Sequence, residues 1–169
     1  MSTDIDRLTK DYIEAFQEYA NDPYVEISTW PGKDELTHLQ VIFTGEPKTP
    51  FEGGRFILEL RLNGYPFSQP HAKFHTLIWH PNISPTIPGG NYTNICNSMT
   101  DNRLKGTPEG WNPGKSLVQL IQAIRSLLNF TCVIPEFDVG LNNEAMKQWR
   151  RDKGLFKRKA KEWVRKYAN

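Results

Sequence analysis

The 169-residue sequence has little of what secreted, metal-bound or membrane-spanning proteins rely on. It carries only two cysteines, Cys96 and Cys132. Two thiols cannot build a disulfide framework, and the spacing of four zinc ligands is absent, so no metal and no cofactor are expected. No apolar run approaches the length of a membrane span. The opening residues, MSTDIDRLTKDY, are charged and lack the apolar stretch of a signal peptide. These absences predict a soluble protein of the cytoplasm or the nucleus, with no membrane partner. The formal net charge of +2 is too small to argue for nucleic acid. Internal repeats and low-complexity segments are also missing, and the length fits one domain, read as residues 1–169.

The charge that is present is uneven. Residues 147–169 hold ten Lys and Arg against Asp152 and Glu162, a local excess of +8 that leaves −6 for the rest. Such a segment reads first as a solvated helix face, and second as a docking surface for an acidic partner.

Periodicity lays out the elements. Ile5, Leu8, Tyr12, Phe16 and Tyr19 recur at helical spacing over 3–20. Alternation marks strands over 37–44, 55–61 and 72–76, with a shorter one near Val25–Thr29. Turns fall at Pro31-Gly32, Gly53-Gly54 and Asn63-Gly64. From His80 to Gly110 periodicity stops, and Pro, Gly, Asn and Thr dominate. A loop of that length inside a compact domain is usually functional or disordered. A helix resumes at about 116–128, and the C-terminal segment reads as helical with a break near Gly154. Its buried side is marked by Trp149, Phe156, Ala160, Trp163 and Tyr167. Helix, run of strands, long loop and helices together predict an α+β fold with an antiparallel sheet.

Chemistry concentrates in the irregular stretch. Cys96 closes the segment "WHPNISPTIPGGNYTNIC", whereas Cys132 sits in the apolar run NFTCVIP and reads as core filler. A Cys-His hydrolase would need an electropositive thiol and an oriented imidazole. Here the flanks of Cys96 are neutral, and His80 precedes a proline, which suggests a role in shaping the backbone. A thiol without a base suits thioester exchange, where the acyl group is already activated and positioning carries much of the rate. Asn82 is the candidate oxyanion donor.

Seven pieces then add up to a pattern: "GEPKTPFEGGRF" at 45–56, "YPFSQPHAKFHT" at 65–76, "WHPN" at 79–82, "IC" at 95–96, "WNPGKSL" at 111–117, "GLNNEA" at 140–145 and "AKEWVRKYA" at 160–168. In this order the chain resembles the ubiquitin-conjugating enzymes over nearly its whole length. The resemblance implies an N-terminal helix, a four-stranded antiparallel meander, an active-site loop, a central helix and C-terminal helices. It implies that Cys96 takes ubiquitin or a ubiquitin-like modifier from an activating enzyme as a thioester. The modifier then passes to a substrate lysine, or to a ligase cysteine. Asn82 would support the active-site loop and the oxyanion. Pro66, Phe67, Asn112 and Pro113 fall where the family presents two loops to RING or HECT ligases. Gln122 and Ser126 fall on the helix face that receives the carried modifier. Tyr65-Pro66 is expected to be cis. The rival reading is a catalytically inactive ubiquitin-binding variant of the same fold, which the presence of Cys96 opposes.

The sequence also departs from the family pattern. Asn82 and Cys96 stand fourteen positions apart, and Cys96 and Trp111 fifteen, both longer than usual. The extra loop at Ser84–Asn91 is expected to cover or border the thiol. Asp11 and Glu14 stand where many members carry basic residues that meet partners. The residue that usually tunes the incoming lysine is Val139 here, which leaves Asp138 as the candidate for that role.

Overall fold

A computed structural model describes residues 1–129 and 141–169. In chain order the elements are α1 (Ile5–Tyr19), β1 (Val25–Thr29), β2 (His38–Thr44), β3 (Arg55–Arg61), β4 (His71–Phe74), α2 (Leu117–Leu128), α3 (Asn143–Arg151) and α4 (Lys153–Tyr167). One turn of 3-10 helix at Asn102–Leu104 interrupts the long loop. The strands form one antiparallel meander in the order β1-β2-β3-β4. Its register pairs Val41 with Leu58, and Leu58 with Phe74. Alternation therefore puts Leu39, Val41, Phe43, Phe56, Leu58, Leu60, Ala72 and Phe74 on one face, all buried. They join one core with Leu117, Leu120, Ile121, Ile124, Leu127 and Leu128 of α2. Each such side chain contributes roughly 1.5–3 kcal/mol by leaving water.

The start of α2 is fixed by a capping box. Ser116 Oγ accepts from Gln119 N at 3.4 Å, and Gln119 Oε1 accepts from Ser116 N at 2.8 Å. Arg125 then ties the helix to Asp22 beyond α1, and to Glu46 after β2.

Two expectations need correction. The buried stripe of α1 is Leu8, Asp11, Ala15 and Tyr19, while Ile5 and Phe16 are about half exposed. Asp11 does not face partners at all. It is buried, accepting from Arg7 Nε at 2.9 Å and from the Tyr65 hydroxyl. Glu14 is the exposed member of that pair of acids. The C-terminal break expected near Gly154 is there, centred two residues earlier at Asp152, and the buried side of the segment is narrower than its aromatic residues suggest. Asp152 ends α3 and caps α4, its carboxylate accepting from Leu155 N at 3.1 Å, so Gly154 sits inside the first turn. The buried residues of α4 are Phe156, Ala160 and Val164, with Tyr167 on the outside.

Candidate active site

The irregular segment after β4 is built by its polar side chains acting on backbone. His80 is buried, with Nε2–H donating to Leu127 O at 2.6 Å and Nδ1 accepting from Asn82 N at 2.9 Å. Burial lowers its pKa from the usual value to about 4, against the Leu127 carbonyl, which raises it. The ring is therefore neutral near pH 7. Both nitrogens are committed to backbone, so His80 is no base for the thiol, and the shaping role expected of it is what the geometry provides. Phe51 stacks on the ring at 5.8 Å. Close approach there requires Gly45, because a Cβ would overlap the Phe51 carbonyl.

From Asn82 the chain is tied straight to the cysteine. Cys96 N donates to Asn82 O at 2.7 Å, and Ile83 bridges Ile95. Asn94, fully buried, clasps the end of β4: Oδ1 accepts from Phe74 N at 2.9 Å, and Nδ2 donates to Phe74 O at 2.8 Å. After the cysteine, Thr100 Oγ1 donates to Ile95 O at 3.0 Å, and Asn97 Nδ2 reaches Ala123 O of α2 at 3.4 Å. Cys96 is thus held on three sides, by Asn82, by the returning turn and by α2.

The Cys96 thiol is half-buried and free. Burial pushes its pKa up, and the nearby Asp101 carboxylate pushes it further. Arg103 and a hydrogen bond from the Asn82 side chain act the other way. Asn82 Nδ2 also donates to Cys96 O at 3.3 Å, while its Oδ1 is buried without a hydrogen-bond partner. The amide is therefore held against the cysteine, with its donor end toward it. Asp101 was not legible as a site residue. Its signal is that it is the first carboxylate after Cys96, and the turn closed by Thr100 brings it back beside the thiol. Arg103 binds it through Nε and Nη2, at 3.0 and 2.8 Å, and lowers its pKa. Among the described residues, no group of three His, Cys, Asp or Glu is arranged to hold a metal ion.

The extra loop follows a course different from a lid over the thiol. Its base borders the cysteine segment, with Ser84 N donating to Asn94 O at 2.8 Å. Its tip is drawn to the outer side of edge strand β4, where Lys73 Nζ donates to Gly90 O at 2.9 Å and Pro88 O at 3.3 Å. An ammonium on the strand satisfies carbonyls that a Gly- and Pro-rich loop cannot pair internally.

The two expected ligase loops come together. The Tyr65-Pro66 bond is cis. Trp111 Nε1 donates to Pro66 O at 2.9 Å, and Arg7 binds Pro113 O at 3.0 Å and Lys115 O at 2.8 Å. Pro66 is itself buried by these contacts. Phe67, 46% exposed, and Pro113 are the exposed parts, with Asn112 half-buried and bound to Thr107 O. Gln122 and Ser126 lie one turn apart on α2. Gln122 is exposed and accepts from Tyr19 at 3.4 Å, and Ser126 is half-buried and donates to Ala123 O. Asp138, Val139 and Cys132 lie outside the described residues.

Comparison with known proteins places this geometry. The family model for "Ubiquitin-conjugating enzyme" matches residues 7–164. A Drosophila melanogaster protein named "Ubiquitin-conjugating enzyme E2 N" is 32% identical over 162 residues, covering 95% of this chain and 96% of the relative. The Saccharomyces cerevisiae "Ubiquitin-conjugating enzyme E2 13" is 30% identical over 162 residues, covering 95% of each. A solved Toxoplasma gondii ubiquitin conjugating enzyme domain superposes with a TM-score of 0.72 at 25% identity, covering 97% of this chain and 98% of that one. The chain belongs to the ubiquitin-conjugating enzymes, transferases that work through a thioester intermediate.

Proposed function

We propose that Cys96 carries ubiquitin or a ubiquitin-like modifier as a thioester received from an activating enzyme. The modifier is then delivered to a substrate lysine with a RING ligase, or to the cysteine of a HECT ligase. The observation that carries this reading is the half-buried Cys96 thiol with the Asn82 amide held against it. The Cys96 thiolate attacks the modifier's C-terminal carbonyl on the activating enzyme. A C–S bond forms, charge collects on the carbonyl oxygen, and the activating enzyme's thiolate leaves. In transfer, a neutral lysine amine attacks the same carbonyl, Cys96 leaves as thiolate, and the amine loses its extra proton. Asn82 donates to the oxyanion of each step through Nδ2. Phe67 and Pro113, braced by Pro66 and Asn112, face the ligase, and Gln122 and Ser126 face the carried modifier. Asp138 attracts and orients the incoming lysine.

Incubation with an activating enzyme, ATP, magnesium and ubiquitin or another modifier should add one modifier's mass, removable by a thiol reductant. No adduct with any activating enzyme would favour the ubiquitin-binding variant instead. For the second step, Asp138→Ala should slow discharge to free lysine by about tenfold or more, with Cys96 loading unchanged. Equal discharge by mutant and parent would remove Asp138 from the mechanism.

A further inference from the structure

The basic excess at the C-terminus is not spread evenly around its helices. On α4, Lys153, Lys157, Lys161 and Arg165 repeat every four residues, and Arg158 lies beside them. All five are exposed. A residue every four positions stays on one side of a helix, so these cations form a stripe that winds slowly along α4. The stripe flanks the buried line of Phe156, Ala160 and Val164. Like charges at this spacing destabilise a helix. Carboxylates on the same helix relieve them only in part, because Glu162, spaced to reach Arg158 and Arg165, is the one acid within α4 and Asp152 is used as the cap. Among the described residues, none of the five forms an ion pair, whereas neighbouring Lys159 approaches Glu144 at 3.9 Å. Beside the stripe, Lys161 and Arg165 line an open groove of about 210 Å³, with Pro50, Glu52 and Val164 as its other walls.

We infer that this stripe and groove bind an extended acidic segment of a partner protein. Four helical residues advance about 6 Å. Two residues of an extended chain advance about 6.6 Å, with their side chains on the same side. A peptide laid along α4 with carboxylates at alternate positions therefore meets the cations nearly one for one. The Pro50 and Val164 walls give an apolar side chain of that peptide a place beside the charges. Nucleic acid is the poorer fit. Single strands rely on aromatic platforms for their bases, and the stripe has none. The ring that meets it, Trp149, is half-buried, covered by Lys153 Nζ at 4.7 Å from its centre and packed edge-on against Phe156 at 5.4 Å. The remaining −6 of the chain also opposes a polyanion that would cover more than this helix.

The test is fluorescence anisotropy on the full chain. One labelled peptide carries four glutamates at alternate positions, with serines and one leucine between them. The others are its all-glutamine counterpart and a thymidine oligonucleotide. The acidic peptide should bind at low salt, lose about tenfold in affinity at raised salt, and exceed the glutamine peptide. The double variant Lys161→Glu, Arg165→Glu should bind it at least about tenfold more weakly. Its melting temperature should stay close to the parent's, because both side chains are exposed and neither forms an ion pair among the described residues. Unchanged binding by a folded variant, no binding by the parent, or tighter binding of the oligonucleotide than of the acidic peptide would each overturn the proposal. If the double variant is unfolded, Lys157→Gln with Lys161→Gln provides the same comparison with a smaller expected loss.

Discussion

At Cys96 the thiol lies half-buried, with Asp101 nearby, and both burial and that carboxylate disfavour the thiolate. An ordinary cysteine is only a few per cent thiolate at neutral pH, and this one is less so. In the proposed function, reactivity then rests on an activated acyl donor and on the fixed position of the thiol rather than on a strong nucleophile. The opposed signs of Asp101 and Arg103 make a direct test. Asp101→Asn removes the anion, lowers the thiol pKa, and should speed iodoacetamide alkylation near neutral pH by about two- to fivefold. Arg103→Ala removes the cation and should slow it. A change of the same sign in both variants would contradict this electrostatic picture. The pairing of Asn82 with Cys96 and the shaping role of His80 were legible because each stands in a short, distinctive string. Asp101 was not, because its nearness depends on the turn that Thr100 closes back to Ile95, a contact across five residues that no periodicity reports.

Among the elements, β3 was legible to the residue, since Phe56, Leu58 and Leu60 alternate over 55–61 and the strand pairs with β2 along its whole length. The face of α1 was not. Counting apolar residues puts Phe16 inside and Asp11 outside, whereas Arg7 and Tyr65 satisfy Asp11 in the core. A buried carboxylate with partners is invisible to a hydropathy pattern. The loop at 84–91 borders the cysteine segment at its base, while the course of its tip was not legible, as Lys73 on β4 captures its carbonyls. The α1 network has an energetic consequence. Arg7 bonds Asp11, Pro113 and Lys115, so it fastens α1 to the loop after Trp111. Arg7→Ala leaves Asp11 with only the Tyr65 hydroxyl, and should cost about 2–3 kcal/mol in urea unfolding. Arg7→Ala and Tyr65→Phe should be non-additive by more than about 0.5 kcal/mol, because they share Asp11. Additive effects would show that Asp11 does not couple them.

For the whole molecule, acid should remove stability in two successive windows. His80 titrates at about 4 in the fold and at 6.5 when unfolded. Between these values the unfolded chain holds the extra proton, so stability falls as pH drops below 6.5, by at most about 1.4 kcal/mol per pH unit. Glu59 is opposed by burial, but hydrogen bonds from His75 and His38 and the charge of Arg61 outweigh it and lower its pKa to about 2 from 4.5. Its contribution is complete above 4.5 and is lost as pH falls toward 2. Urea midpoints should hold steady between pH 7 and 8, decline from 6.5, and decline again below 4.5. Glu59→Gln should remove only the second decline. A flat profile between pH 7 and 4.5 would contradict the buried neutral state of His80.

Under the proposed function one sulfur atom, that of Cys96, carries the modifier. The most direct test is intact-protein mass spectrometry after loading, with each cysteine replaced in turn. Cys132→Ser should gain one modifier's mass that a thiol reductant removes, as the parent does. Cys96→Ser should give a slowly formed adduct that survives reductant, because an oxygen ester does not exchange with thiols as a thioester does. Cys96→Ala should give none. A reductant-sensitive adduct on Cys96→Ala that is absent from Cys132→Ala would contradict the assignment of Cys96.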